Sequence, residues 1–397
     1  MSLSQKKSAK RTSDRKTVLL VSLAFPPSHG GGGLRNFRTY QRIRHLIPID
    51  LVVITEAGRH YHPGWSSYQN IPVYAVPPTN SAASLVQALP AFLKGGGARR
   101  YAAMHIAGFS KMAQLIGLAG QAARIPVIAE MTVDPDPPGH RLRDRIAMWP
   151  VTNAKLLIAL TSTIRDWFIS VGAAPDRIWQ RPNPVDVNSF HPPTEAERCA
   201  ARAHFGIPEG TCLHVVFGRF QPRKNQRLAV KALSRLPPPH HLLLVGPTFA
   251  EDQDYLASLR GEVEELGLQR RVTILAETVA EAPAVYHAAD QLWLTSTLEG
   301  LPNVMLEALC CGVPVVANSQ LKLHEYVVDY VNGRQSPPVP SEFATAALSV
   351  VTLSESTDAR CAIADLARRT YGADQLDAQF ARHLAVVTGL RTQGAGE

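Results

Sequence analysis

Short, wholly apolar runs recur along this chain between amphipathic stretches, and this alternation restricts its possible folds more than any other feature. The runs lie at residues 17–25, 49–55, 71–76, 104–107, 125–131 and 156–160 in the first half, and at 213–217, 241–245, 272–275, 291–295 and 313–317 in the second. A strand that is apolar at nearly every position is buried on both faces, the condition of a parallel sheet covered by helices. Helical patterns at 34–46 and 110–124 supply such cover in the first half. Two series of this kind predict two doubly wound α/β domains, and 397 residues are enough for both. Pro182, Pro184, Pro192, Pro193 and Pro208 mark a boundary near 182–208. The expected division is a disordered basic tail at 1–16, Rossmann-like domains at 17–185 and 186–375, and a final segment at 376–397 that begins as a helix.

The chemistry concentrates in the second series. Residues 299–307 read Glu-Gly-Leu-Pro-Asn-Val-Met-Leu-Glu, with Leu298 ending a strand-like run before them. Gly300 and Pro302 break that run, and Asn303 is the expected cap of a helix reaching about Cys311. Unpaired N–H groups and a positive dipole end at such a helix start suit a phosphate. Glu299 and Glu307 flank that point. Carboxylates beside an anion site are better placed to accept hydrogen bonds from hydroxyls, as a nucleotide-sugar would offer at both ends. Upstream, Val215-Val216-Phe217-Gly218-Arg219-Phe220-Gln221-Pro222-Arg223-Lys224-Asn225 reads as a strand entering a basic loop. There Arg219 can fork onto phosphate oxygens while Lys224 supplies a point charge. An ordinary solvated loop is the competing reading of those two residues.

With Arg181-Pro182-Asn183-Pro184-Val185-Asp186, Gly312-Val313-Pro314-Val315-Val316-Ala317-Asn318, Glu325 and Asn332-Gly333, these motifs stand in an order that resembles glycosyltransferase family 4. The resemblance runs from the glycines near residue 30 to about residue 335. It implies the GT-B fold, in which the first domain binds the acceptor, the second binds a nucleotide-diphosphate sugar, and the active site lies in the cleft. It also implies a final helix that packs back on the first domain. Carried over, Arg219 and Lys224 contact the diphosphate, Glu299 the donor sugar and Glu307 the ribose, with Gly300, Leu301, Asn303 and Val304 completing the donor site. Gly31, Gly32 and Gly33 would form a cleft loop. The implied reaction is metal-independent transfer with retention, by internal return in which the leaving phosphate helps deprotonate the acceptor hydroxyl. The donor is expected to be a UDP- or GDP-sugar, with no cofactor.

The chain departs from the family pattern at several points. Thr132 stands where a His is common, Asn225 follows Lys224 where Gly is common, and Leu321-Lys322 replaces a Gly-Gly. Lys322 could therefore read an acidic group on an unusual donor. Asp134-Pro135-Asp136 has the spacing of a metal-binding Asp-x-Asp, but Pro135, Pro137 and Pro138 make a turn the simpler account. His105 could face the cleft or be a buried structural residue, and Arg35 could meet an anionic acceptor or lie on a helix surface.

Other enzyme classes fit less well. A dinucleotide oxidoreductase or epimerase needs Gly-x-Gly-x-x-Gly after its first strand, and Gly30 to Gly33 lack that spacing. A non-catalytic binding protein would be expected to lose the charged motif residues. A phosphorylase or sucrose-type synthase differs only in its acceptor.

The net charge of +8 is concentrated in Lys6, Lys7, Lys10, Arg11, Arg15 and Lys16. Attraction to anionic lipid, at ~1 kcal/mol per basic residue, competes with a merely solubilising role. Nucleic-acid binding is not expected, because no aromatic-interleaved basic patch follows. No apolar run reaches the ~18 residues of a spanning helix. Five cysteines in odd number, without metal-ligand spacing, fit a reducing cytoplasm. The leading expectation is a cytoplasmic enzyme, peripheral at the inner membrane face, acting on a lipid-linked saccharide in cell-surface polysaccharide or glycolipid synthesis. A soluble small-molecule acceptor is the alternative.

Overall fold

A computed structural model describes residues 16–27, 31–58, 60–77, 101–108, 110–132 and 148–392. It resolves into two compact units, one running to Pro184 and resuming at Asp374, the other spanning Val185–Ala373.

The first unit is built on eight strands: β1 Lys16–Ser22, β2 Ile49–Glu56, β3 Gly64–Tyr68, β4 Ile71–Val76, β5 Tyr101–Ala107, β6 Val127–Met131, β7 Leu156–Ala159 and β8 Ile178–Gln180. Their order is β3-β4-β2-β1-β5-β6-β7-β8, and all neighbours are parallel except the hairpin β3–β4. Every residue of β1 after Lys16 is buried, as a strand covered on both faces requires. β3 and β8 escaped the sequence reading because neither is a buried apolar run: β3 is Gly-Trp-Ser-Ser-Tyr on an exposed edge, and β8 has three residues. Lys16, expected in the basic tail, is the first residue of β1 and pairs with Ile49. The rest of that tail lies outside the described residues.

The helix Ala373–Thr388 belongs to this unit, and Phe380, Ala381 and Leu384 join its core with Val18, Tyr40 and Ile158. Arg181, at the end of β8, donates to Asp377 of that helix at 3.0 Å and lies 5.0 Å from the Phe380 ring centroid. Apolar packing and a buried ion pair thus fix the same helix.

In the second unit the strands are β9 Cys212–Phe217, β10 His240–Val245, β11 Val272–Leu275, β12 Gln291–Leu294, β13 Val315–Asn318 and β14 Gly333–Ser336. The sheet order β11-β10-β9-β12-β13-β14 is parallel throughout. Chain order therefore reverses at β9–β12. Connections leave those two strands in opposite directions, opening a crevice at their C-terminal ends where open α/β sheets bind ligands. The strand expected to run on to Leu298 ends at Leu294, and the Leu298 side chain is half exposed.

Candidate functional site

The basic loop and the Glu299 loop leave β9 and β12, so the topology places them together. Their backbones are tied to each other: Thr295 Oγ1 donates to the Lys224 carbonyl at 2.8 Å, and Thr297 N to the Arg223 carbonyl at 2.9 Å. Lys224 Nζ donates to Glu299 Oε1 at 2.5 Å, and Arg223 Nη1 lies 3.3 Å from Oε2. Burial would raise the Glu299 pKa, but the charge and hydrogen bond of Lys224 outweigh it and the carboxyl is held low. Glu299 is thus an ionised, oriented acceptor.

Arg219 is more committed than the sequence suggests. Its Nε donates to Asp252 at 2.6 Å, its Nη2 to Glu251 at 2.9 Å, and its guanidinium lies 4.6 Å from the Phe249 ring centroid. These partners come from the loop after β10. That loop runs so close to the β9 loop that a Cβ on Gly246 would sit 2.4 Å from the Gly218 carbonyl oxygen. Three cations, Arg219, Arg223 and Lys224, therefore face three carboxylates, Glu251, Asp252 and Glu299. A phosphate reaching this loop meets cations that already have partners.

The helix Asn303–Cys310 begins beside this pair. Pro302, in extended conformation, is its N-cap and Asn303 is its first helical residue, which corrects the expectation that Asn303 caps it. Pro at this position fixes the entry of the chain and leaves the first-turn N–H groups without a side-chain cap. Gly300 and Val304 are partly exposed, while the Leu301 side chain is buried, so Leu301 can offer only backbone to a ligand. One turn into the helix, Glu307 Oε2 accepts a 2.6 Å hydrogen bond from Tyr286 Oη. Burial, then the Glu307 charge, push the Tyr286 phenol well above its usual range, so it remains a donor and orients the carboxylate. Sequence reasoning missed Tyr286 because it lies in a separate helix, Ala282–Ala288, with no motif around it.

Two departures from the family pattern now have backbone explanations. Asn225 and Lys322 adopt left-handed conformations, φ 50° and 53°, each closing a short 3₁₀ turn. Asn tolerates this region well and Lys poorly, which is why Gly is common at such positions. Lys322 is exposed.

In the first unit, Gly31, Gly32 and Gly33 are not a loop but the first turn of the helix Gly31–Arg42. A Cβ on Gly33 would lie 1.8 Å from the Ala24 carbonyl oxygen, so only glycine lets the helix start this close to the segment after β1. Thr132 sits beside Gly32 and Gly108. Arg35 is buried rather than on a helix surface: it donates to Asn183 Oδ1 at 2.5 Å and forms an ion pair with Glu130. His105 is fully buried between Tyr40 Oη at 2.9 Å and Glu130 Oε2 at 3.2 Å. Arg35 and His105 are therefore structural here. The Asp134-Pro135-Asp136 segment lies outside the described residues.

Residues 198–364 match the family described as glycosyl transferases group 1. D-inositol 3-phosphate glycosyltransferase of Mycobacteroides abscessus is 34% identical over 204 residues, 51% of this chain and 45% of that protein. Its Mycolicibacterium smegmatis counterpart is 36% identical over 152 residues, 38% of this chain and 34% of that one. The chain thus spans about half or less of the length of these curated relatives. Among solved structures, Anabaena HepE in complex with UDP superposes with a TM-score of 0.77 over 94% of this chain and 100% of that one, at 23% identity. Sucrose-phosphate synthase from Thermosynechococcus elongatus gives 0.76 over 94% and 100%, at 17% identity. These two likenesses concern the fold, two parallel-sheet α/β domains of the GT-B type. The match by sequence thus lies in residues 198–364, within the second unit, where the chain is similar to the group 1 glycosyl transferases, and the likeness along nearly its whole length is one of fold, the GT-B type.

Proposed function

We propose that this protein transfers a glycosyl group from a nucleoside-diphosphate sugar to a hydroxyl, with retention and without a metal ion. The observation that carries the reading is the Lys224–Glu299 pair at the β9–β12 switch point, beside the start of the helix Asn303–Cys310. Lys224 and the helix N–H groups would hold the diphosphate. A unit charge at ~4 Å is worth about 4 kcal/mol at an effective dielectric of 20, before desolvation. That charge would stabilise the leaving group as the sugar cation forms. Arg219, tied to Glu251 and Asp252, would present its remaining N–H groups to the phosphate from a fixed position. Glu299 would accept from sugar hydroxyls, and Glu307, oriented by Tyr286, from the ribose. The departing phosphate would take the acceptor proton on the same face, giving retention.

UDP is our leading donor nucleotide, supported by the UDP and UDP-glucose complexes of Anabaena HepE. A lipid-linked saccharide, with the basic residues preceding β1 near anionic lipid, remains our leading acceptor class and would place the enzyme at the inner membrane face. The names of the curated relatives add a phosphorylated cyclitol to the acceptors worth testing. Among the described residues, no helix is long and apolar enough to cross a membrane.

The test is a thermal-shift panel of UDP-, GDP-, ADP- and TDP-sugars with and without EDTA, followed by transfer assays on these acceptors. A ligand at ~100 times its Kd should add about 2.7 kcal/mol of stability. Stabilisation by one nucleotide class that survives EDTA and disappears in Glu307→Ala supports the reading. A folded sample that none of them stabilises refutes it. Binding without transfer to any acceptor would favour a nucleotide-sugar-binding protein.

A further inference from the structure

At the opposite end of β9, Cys212, His214 and His240 bring one ligand atom each to within 4.8 Å of one another. The sheet register makes this arrangement. Cys212 and His214 are two apart on β9 and share a face, while His240, first residue of β10, pairs directly with Cys212. His214 is fully buried, stacked at 4.3 Å on the Trp293 ring, and its Nε2 lies 2.9 Å from His240 Nδ1. Both imidazoles are thus held in place by their surroundings. His240 is anchored further, since its carbonyl accepts from Arg271 Nε at 3.1 Å.

The group is reachable. Cys212 and His240 line a cavity of about 850 Å³ at the N-terminal edge of this sheet, bounded by Arg198, Arg202 and Asp290. The donor loops leave the C-terminal ends of the same parallel strands, so this cavity is not the donor site.

We propose that Cys212, His214 and His240 form a zinc site, with the fourth coordination position open to the cavity. One thiolate and two imidazoles suit zinc, and three protein ligands with an open place is a known zinc arrangement. A tetrahedral ion with the usual bond lengths sets its nitrogens ~3.3 Å apart and sulfur ~3.6 Å from each nitrogen; here the two nitrogens stand 2.9 Å apart and all three ligand atoms lie within 4.8 Å of one another. In the binding step, the thiol loses one proton to solvent as the Zn–S bond forms. The proton shared by the two imidazoles moves to the other nitrogen of its own ring, and each ring gives one lone pair. The site is independent of the donor-site reading, because none of its ligands belongs to that site.

The experiment uses the full chain, stripped with chelator and titrated with Co²⁺ as a spectroscopic stand-in, then with Zn²⁺. One Co²⁺ per chain is expected, with a near-UV thiolate-to-metal charge-transfer band that Zn²⁺ abolishes. Cys199→Ser, which changes the other thiol lining the cavity, should keep the band. Cys212→Ser should lose it, and His240→Gln should weaken binding at least ~tenfold. Absence of the band in the unsubstituted protein, its survival in Cys212→Ser, or its loss in Cys199→Ser would each overturn the proposal. The first of these needs no variant, so a folding defect cannot mask the answer.

Discussion

Replacing Glu299 by Gln should tighten nucleoside-diphosphate binding while slowing transfer, an outcome that a simple sugar-contact role would not produce. Glu299 holds Lys224 Nζ at 2.5 Å and also faces Arg223 at 3.3 Å, with only 11% of its side chain exposed. At an effective dielectric of 20, one such contact corresponds to a gross attraction of about 6–7 kcal/mol, most of it offset by desolvation. Removing the negative charge therefore leaves Lys224 worth roughly 1–2 kcal/mol more to an incoming phosphate, the low end of coupling between close charge pairs. That predicts UDP binding tighter by roughly 5–30-fold. Turnover should nevertheless fall by about 10²–10³, the usual loss when one transition-state contact disappears. Calorimetric titration with UDP reads the first quantity and initial rates with UDP-sugar the second. Lys224→Met supplies the opposite control, with weaker UDP binding. If UDP bound more weakly to folded Glu299→Gln than to the unsubstituted protein, the idea that Glu299 competes with phosphate for Lys224 would be wrong.

Three further outcomes follow from the geometry. Tyr286→Phe removes the donor that orients Glu307 and should weaken UDP binding by ~1.5 kcal/mol, about tenfold, a change visible in the same titration. In the first unit, burial would raise the Glu130 pKa, yet Arg35 and the His105 hydrogen bond hold it at about 2 against 4.5. Because that pKa is depressed, the associated ~3 kcal/mol of stability is present above pH 4.5 and is lost as pH falls through about 2. Urea unfolding should show Glu130→Gln less stable than the unsubstituted protein at pH 7, with the gap closing below pH 4; a gap independent of pH would refute this account. Asn225→Gly should leave stability within about 0.5 kcal/mol, whereas Asn225→Val, forced to φ near 50°, should cost roughly 1–2 kcal/mol in the same urea unfolding measurements.

Much of the candidate site was legible because its residues lie in two short segments attached to strands that the apolar runs reveal. Glu299 and Glu307 stood out by their spacing about the start of a helix, whereas Lys224, in a basic loop that could equally be solvated, was singled out by the order of the other motifs. Arg35 and His105 were ambiguous for a physical reason: their partner Glu130 is 95 residues from one and 25 from the other, and no local pattern predicts a buried ion network at such separations. The same holds for Arg219, whose neutralising carboxylates Glu251 and Asp252 arrive on the loop after a different strand.

By itself the sequence determined the two doubly wound layers, since a wholly apolar run has few stable places other than the inside of a parallel sheet. It also determined that one short helix would start beside Glu299, through Gly300 and Pro302. Tertiary structure alone decided which charges meet. The order β10-β9-β12 brings Lys224 to Glu299, and the close approach of the Gly218 and Gly246 loops gives Arg219 its two carboxylates. It also decided that Cys212, which has no metal-ligand spacing in the chain, stands opposite His240. Register between strands is set by packing of whole sheet faces, and no stretch of the sequence encodes it locally.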